Sequence, residues 1–411
     1  QRKLMSKKIF YNETNYDYHE INAVQDVLKK NKYSLVGGEK TKKFEEKISL
    51  MFGKKYGLLV NSGSSANLLA LASLNIPEKS EIITPSLTFS TTISPILQLG
   101  LIPNIIDIEI NTLNIDVSKI EKAITKNTKA ILVPNLMGNI PSWKKIKKIA
   151  KSNKMFVIED SADTLGYSIE GKNTGNLSDI VTTSFYASHI ITCGGIGGMV
   201  CTNNKYFYEK MKIIRGWGRS SELYPADSSQ TIKSNINSRF NIKIGNIHYD
   251  RKFLFSEPGY NFLAPEICAA FGLAQLKKFK KLYKKRVKNF NFLKKLFFEN
   301  LSDKLITPNQ NENVDTIWLA YPVILKNNNN KLRNKLQIFL EKNNIQTRPI
   351  FSGNITKQPL LKNKKYITNN NKFNSADYIM RNGLLVGCHP KLKNSDLSYI
   401  YQKIKSFLDN E

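Results

Sequence analysis

Short apolar, β-branched runs alternate with longer stretches whose apolar positions recur at helical spacing, from Tyr56 to about Thr202. The runs predict strands over 56–61, 81–84, 102–107, 130–134, 155–159, 181–185 and 198–202. Helices are predicted between them, including 64–74 (SSANLLALASL), whose first serines can cap, and 142–151 (SWKKIKKIAK). This alternation argues for an α/β protein with a largely parallel sheet. After Arg215 the pattern breaks, and 219–246, rich in Ser, Asn and Asp, reads as a surface excursion. Residues 265–290 then predict a long helix. Leu273, Leu276, Phe279, Leu282 and Tyr283 recur at helical intervals, and the eight Lys or Arg residues on the remainder read as a solvated face. From about Phe292 a smaller α/β unit follows, with a strand at 316–325, an Asn-rich turn at 327–330 and a terminal helix near 394–408.

A length of 411 residues allows more than one domain, and the apolar runs are far shorter than the roughly 18 residues of a membrane span. The basic N-terminus lacks the apolar stretch of a secretory signal, so a cytoplasmic setting is expected. Cys193, Cys201, Cys268 and Cys388 lie far apart without a CxxC pair, which points to reduced thiols rather than a disulfide framework or a zinc site. The net charge of +29 fits an anionic partner such as nucleic acid, an acidic membrane or a nucleotide-linked substrate. It fits equally a composition bias, since most of the basic residues are Lys and come with abundant Asn and Ile.

Three segments carry candidate chemistry. In 61–71 (NSGSSANLLAL) a strand runs into a Gly/Ser turn that opens a helix, so the N–H groups there and the hydroxyls of Ser62, Ser64 and Ser65 form either a phosphate cradle or an ordinary cap. The segment has neither GK[ST] nor GxGxxG. In 157–166 (VIEDSADTLG) the carboxylates of Glu159, Asp160 and Asp163 fall at a strand's carboxyl end, where α/β proteins bind ligands. A carboxylate there pairs with a protonated ring nitrogen, coordinates a metal or caps the next helix. In 184–200 (SFYASHIITCGGIGGMV) His189 stands between a strand end and a glycine-rich loop, as a functional or a structural imidazole.

Taken in this order, and joined by TPSLTFSTTISPILQLGLIP (84–103), RGWGR (215–219), GYNFLAPEICAAFGLAQL (259–276) and TRPIFSGNITKQP (347–359), these segments resemble the sugar aminotransferase and dehydratase family of vitamin B6 enzymes over nearly the whole chain. The resemblance implies the type I fold of pyridoxal-phosphate transferases. A large domain with a mostly parallel seven-stranded sheet sandwiched by helices (1–277) would precede a linking helix and a smaller C-terminal α/β domain (278–411). By the same resemblance Gly63, Ser64, Ser65 and Ser184 hold the cofactor phosphate, and Asn261 reaches it from the neighbouring subunit of a homodimer. Phe89 stacks on the pyridine ring, Asp160 keeps the ring nitrogen protonated, and Asp163 lies near the ring hydroxyl. Arg348 and Asn354 fall on the substrate side.

The family's aminotransferases carry a Schiff-base lysine where this chain has His189, and an imidazole cannot form that bond. The chain therefore resembles the 3-dehydratase branch of 3,6-dideoxysugar synthesis, which binds pyridoxamine phosphate noncovalently and uses histidine as its base. An ordinary imidazole pKa near 6.5 suits both taking and delivering a proton. The loop ITCGGIGG is one residue longer than the family's usual form. The stretch after RGWGR has no cysteine, which favours the type without an iron–sulfur cluster, in which L-glutamate restores pyridoxamine phosphate. The expected substrate is a GDP-linked 4-keto-6-deoxyhexose. The rivals are a CDP-linked or heptose substrate, a plain sugar aminotransferase, and a nonenzymatic basic protein on the same fold. No nucleic-acid or membrane partner is expected, because the basic residues lack interleaved aromatics.

Overall fold

The computed structural model describes residues 8–30, 34–223, 239–326, 331–368 and 372–411. Its central element is a seven-stranded sheet of β1 (Tyr56–Val60), β2 (Glu81–Pro85), β3 (Ile102–Ile106), β4 (Thr128–Pro134), β5 (Phe156–Asp160), β7 (Ile180–Ser184) and β8 (Gly198–Thr202), in the order β1-β8-β7-β5-β4-β2-β3. The two-residue β6 (Ser168–Ile169) lies outside it and pairs with β12 (Val314–Asp315). Only β8 runs against the others, antiparallel to both β1 and β7. The remaining six strands therefore end on one edge, at Val60, Pro85, Ile106, Pro134, Asp160 and Ser184.

The strands are apolar on both faces because both faces are covered. Within β4, Ala130 and Leu132 join one core with Leu69, Ala70 and Met211, while Ile131 and Val133 join the opposite core with Phe44, Trp143 and Ile146. The first core packs under helices Gly63–Ser73 and Lys205–Arg215, the second under Glu39–Met51 and Trp143–Ser152. The predicted strands and helices of this half thus form, displaced by one or two residues at their ends.

The long predicted helix extends further than its apolar spacing indicated, over Glu266–Leu301. It runs unbroken past residue 277 and changes core along its length. Cys268 and Ala269 pack into the sheet's second core, whereas Phe290, Leu293, Phe297 and Leu301 belong to a third with the C-terminal elements. That third core covers a four-stranded sheet of β11 (Leu305–Ile306), β13 (Tyr321–Leu325), β14 (Thr347–Pro349) and β15 (Gly383–Val386), in the order β11-β13-β15-β14. The predicted strand at 316–325 divides. Residues 316–320 separate β12 from β13, and within them the Thr316 hydroxyl and the Leu319 N–H turn aside to the carbonyls of Gly138 and Met137. The Asn-rich turn at 327–330 lies outside the described residues, as does most of the predicted polar excursion. The described end of that excursion holds β9 (Ile242–Ile244), which forms a hairpin with β10 (Ile247–Tyr249) just beyond it. The chain's beginning also joins the third core, since Ile9 is buried there and bridges Ile345 in parallel.

Candidate active site

The carboxyl edge of the sheet gathers most of the sequence-predicted residues. After β1, Ser62 caps helix Gly63–Ser73, its hydroxyl accepting from the Ser65 N–H. The free N–H groups of that helix end carry the positive pole of its dipole. Gly63 lies against Ser184 at the end of β7, so closely that a Cβ on residue 63 would fall 2.7 Å from the Ser184 Cβ. This concave meeting of a helix N-terminus with a strand-end serine fits a phosphate. Ser65 contributes little by its side chain, because its hydroxyl donates to Asn61 Oδ1 at 2.6 Å.

Strand alternation separates the adjacent carboxylates. Glu159 points into the second core, where Asn135, Ser161, Thr174 and Ser178 donate to it. Asp160 points the other way, toward helices Gly63–Ser73 and Ser90–Gln98. It accepts from Asn67 Nδ2 at 2.8 Å, the Thr92 hydroxyl at 3.3 Å and the Ala162 N–H at 3.1 Å. Burial raises its pKa against these donors, all of which are neutral. Such a carboxylate fits a cationic ring nitrogen, whose charge would offset its desolvation. Asn67 is held in turn by the Thr182 hydroxyl at 2.6 Å, and Thr92 by the Thr88 hydroxyl at 2.9 Å.

Asp163 accepts from the Met137 N–H at 2.9 Å, and burial together with the nearby Asp160 pushes its pKa up to about 7. The Met137 N–H reaches it from a left-handed backbone, φ 56°.

His189 follows Ser184 in a loop tied down from within: Ala187 N–H to Gly195 O at 3.1 Å, His189 N–H to Tyr186 O at 2.9 Å and Cys193 N–H to Phe185 O at 3.2 Å. Gly194, Gly195 and Gly197 all have positive φ, which lets the longer loop fold back onto Ser62. The imidazole Nδ1 is shut away from solvent without a hydrogen-bond partner. Burial and then the Arg286 charge push the imidazole pKa down to about 4, against the partial support of the Ser184 backbone. The value lies well below the ordinary imidazole value near 6.5, so the His189 ring is neutral at physiological pH.

Phe89 is 55% exposed at the start of helix Ser90–Gln98, with its ring edge-on to Phe351 at 6.4 Å. The loop carrying Phe351 docks on the β2 end through Ser352 Oγ to Thr88 O at 2.5 Å and Ile355 N–H to Ser86 O at 2.9 Å. Arg348 is exposed on β14, its guanidinium 5.6 Å above the Tyr11 ring. Asn354 is buried and its side chain is spent, donating to Asp377 on helix Asn374–Asn382 at 2.7 Å and accepting from both the N–H and the hydroxyl of Thr356. Asn261 is exposed and paired through its backbone with Gly216, apart from the groups gathered at the sheet edge.

Asn67, Thr92, Thr182, Tyr11 and Arg286 escaped the sequence reading. A signal existed for Asn67, a lone amide in an otherwise apolar helix one turn after the Gly63 turn. Among the described residues no group of three or more His, Cys, Asp or Glu is placed to hold a metal, and no helix is long and apolar enough to cross a membrane.

The chain is 35% identical over 374 residues to "Lipopolysaccharide biosynthesis protein RfbH" of Salmonella typhimurium, covering 89% of this chain and 84% of that one. It is 33% identical over 398 residues to the GDP-4-keto-6-deoxy-D-mannose 3-dehydratase of Escherichia coli O55:H7, covering 95% and 97%. A crystal structure of GDP-4-keto-6-deoxymannose-3-dehydratase with a trapped PLP–glutamate geminal diamine superposes with a TM-score of 0.82 at 30% identity, over 96% of this chain and 99% of that one. The profile of the DegT/DnrJ/EryC1/StrS aminotransferase family matches residues 15–405, and the chain belongs to that family.

Proposed function

We propose that this protein is a hydro-lyase that removes the hydroxyl at carbon 3 of a GDP-linked 4-keto-6-deoxyhexose, with pyridoxamine phosphate as cofactor and L-glutamate restoring it. It would serve 3,6-dideoxysugar synthesis for a surface polysaccharide in the cytoplasm. The observation that carries this reading is His189: a neutral, desolvated imidazole with an unpartnered Nδ1 at the position of the family's lysine. When bound, pyridoxamine phosphate supplies an amine for the ketone and an electron-poor ring.

The chain's own residues do the rest. Gly63, Ser64 and Ser184 grip the phosphate, with Ser65 shaping the turn. Asp160, braced by Asn67 and Thr92, holds a proton on the ring nitrogen. Asp163 lies toward the ring hydroxyl, and Phe89 covers the ring face. His189 would be the base, its neutral imidazole accepting a proton and returning it to the departing hydroxyl. Arg348 meets the anionic substrate, while Asn354 shapes the loop that carries Phe351. The division into 1–277 and 278–411 belongs to the same reading. So does a homodimer in which the neighbouring copy's Asn261 completes the cradle. Support for the homodimer comes from apolar side chains left exposed on the histidine loop and the Asn261 segment: Tyr186, Ile196, Trp217 and Tyr260.

The test is to load the purified protein with pyridoxal phosphate and L-glutamate, follow the absorbance, and identify by mass the products from GDP- and CDP-linked 4-keto-6-deoxyhexoses. A 3-deoxy ketosugar formed from the GDP substrate without added iron or reductase is expected. The His189→Lys variant should lose this product. A 4-amino sugar from the wild-type protein would overturn the reading.

A further inference from the structure

Residues 9–15 form an extended strap between two distant parts of the molecule. At one end Ile9 donates to Asn344 O at 2.8 Å and accepts from the Gln346 N–H at 2.9 Å, and the Tyr11 N–H donates to Gln346 Oε1 at 2.9 Å. At the other end Gln275 Nε2 donates to the Asn15 carbonyl at 2.8 Å. Between these anchors the strap crosses the outer side of the histidine loop. Asn12 Nδ2 and the Thr14 hydroxyl both donate to the Ala187 carbonyl, each at 3.2 Å.

Ala187 is thereby held on both sides, its N–H inward to Gly195 and its carbonyl outward to the strap. One turn, closed by His189 N–H to Tyr186 O, separates this clamp from the imidazole. The Asn12 amide is oriented by Arg286, whose Nη2 donates to Asn12 Oδ1 at 3.2 Å and so leaves Nδ2 for Ala187. Arg286 is itself only 2% exposed on the long helix, and its second partner is the neutral Leu319 carbonyl.

We propose that Asn12 and Thr14, with Arg286 behind them, are positioning residues for His189, and that the strap sets the aim of the imidazole and keeps water from it. The proposal rests on the reading of His189 as the base. Of the charged and titratable groups nearby, Arg286 of the long helix acts on the imidazole, Tyr186 of its own loop stands edge-on to it at 6.1 Å, and Glu13 of the strap lines the same small cavity. Asn12 and Thr14 carry no charge, so replacing them with Ala and Val changes access and aim without adding or removing a charge.

The experiment uses the cofactor-loaded full chain, and compares the Asn12→Ala/Thr14→Val double variant and Asn12→Asp with the wild type. The protein has four histidines, so their imidazole signals can be followed by NMR across the acid range and assigned with His189→Asn. The double variant is expected to lose about tenfold to a hundredfold in kcat with KM for the nucleotide sugar within about twofold. Its His189 titration should rise from about 4 toward the ordinary imidazole value as water reaches the ring. Asn12→Asp should lose kcat similarly, since its carboxylate keeps Arg286 but cannot donate to Ala187. Unchanged kcat and unchanged His189 titration overturn the proposal. So does a fall in kcat that tracks lost thermal stability while His189 titrates as in the wild type. Should the wild type make no deoxysugar while the titration still shifts, the strap stands and the assigned reaction falls.

Discussion

The proposed phosphate cradle and the histidine loop meet at the end of β7 and are held by opposite means. The cradle is built by the sheet: Ser62 caps, Gly63 presses on Ser184, and the first residues of β8 close behind Ser62. The loop's outer side is held by Asn12 and Thr14, more than 170 positions away in the chain. A phosphate site, as proposed for the first, profits from backbone rigidity, whereas an imidazole proposed to move protons needs its aim held from the side away from the sheet.

The comparison can be broken most sharply at Gly63. Gly63→Ala forces a methyl group onto the Ser184 Cβ, an overpacking worth about 1–3 kcal/mol, so affinity for pyridoxal phosphate should fall roughly tenfold or more in equilibrium dialysis. The His189 titration should stay where it is. Unaltered affinity would mean that the helix end and Ser184 do not share a ligand.

A smaller effect is expected one helical turn on. Asn67→Ala leaves Asp160 without its shortest side-chain donor and the buried Thr182 hydroxyl with only the 3.5 Å contact to the Glu159 carbonyl, at about 1–3 kcal/mol. Thermal unfolding should move down by several degrees and kcat should drop with it. A variant as stable and active as the wild type would show that the brace on Asp160 is dispensable.

A third test concerns pH, and it sharpens the contrast between Asp160 with three donors and Asp163 with one. The Asp163 pKa stands at about 7 in the fold against 3.8 ordinarily, so between these values the folded state binds more protons than the unfolded state. Stability from this group is complete below the ordinary value and is lost as pH rises toward 7, with a slope of at most about 1.4 kcal/mol per pH unit. Asp163→Asn should flatten that slope in denaturant titrations of the cofactor-free protein between about pH 5 and pH 8. An unchanged slope would place the titrating group elsewhere.

The capped turn at 61–65 was legible because a strand end, a glycine and capping serines lie in consecutive residues, whereas whether it holds a phosphate was not, since that depends on Ser184 from another strand. The sheet strands were legible for the same reason, each being a short apolar run. What stayed hidden depends on pairs remote in sequence. Strand alternation at Glu159–Asp160 decides which carboxylate faces the helices, and single-strand reading did not assign it. Asn12, Tyr11 and Arg286 carry no local motif, and only the packed chain brings them beside Ala187, Arg348 and His189. The division of the predicted 316–325 strand has the same origin, since Thr316 and Leu319 bond to the 137–138 turn instead of to a neighbouring strand. The imidazole pKa also escaped, because burial is a property of the fold and not of the residue.

The helix Glu266–Leu301, at 36 residues, spans roughly 54 Å. It enters one core through Cys268 and Ala269 and leaves through another at Phe297 and Leu301. A girder shared in this way couples the melting of the two halves, because neither core can come apart without exposing apolar side chains of the same continuous rod. Heat should therefore take the molecule apart in one cooperative step rather than domain by domain, and a mutation at either end of the rod will be felt as a loss of stability at the other.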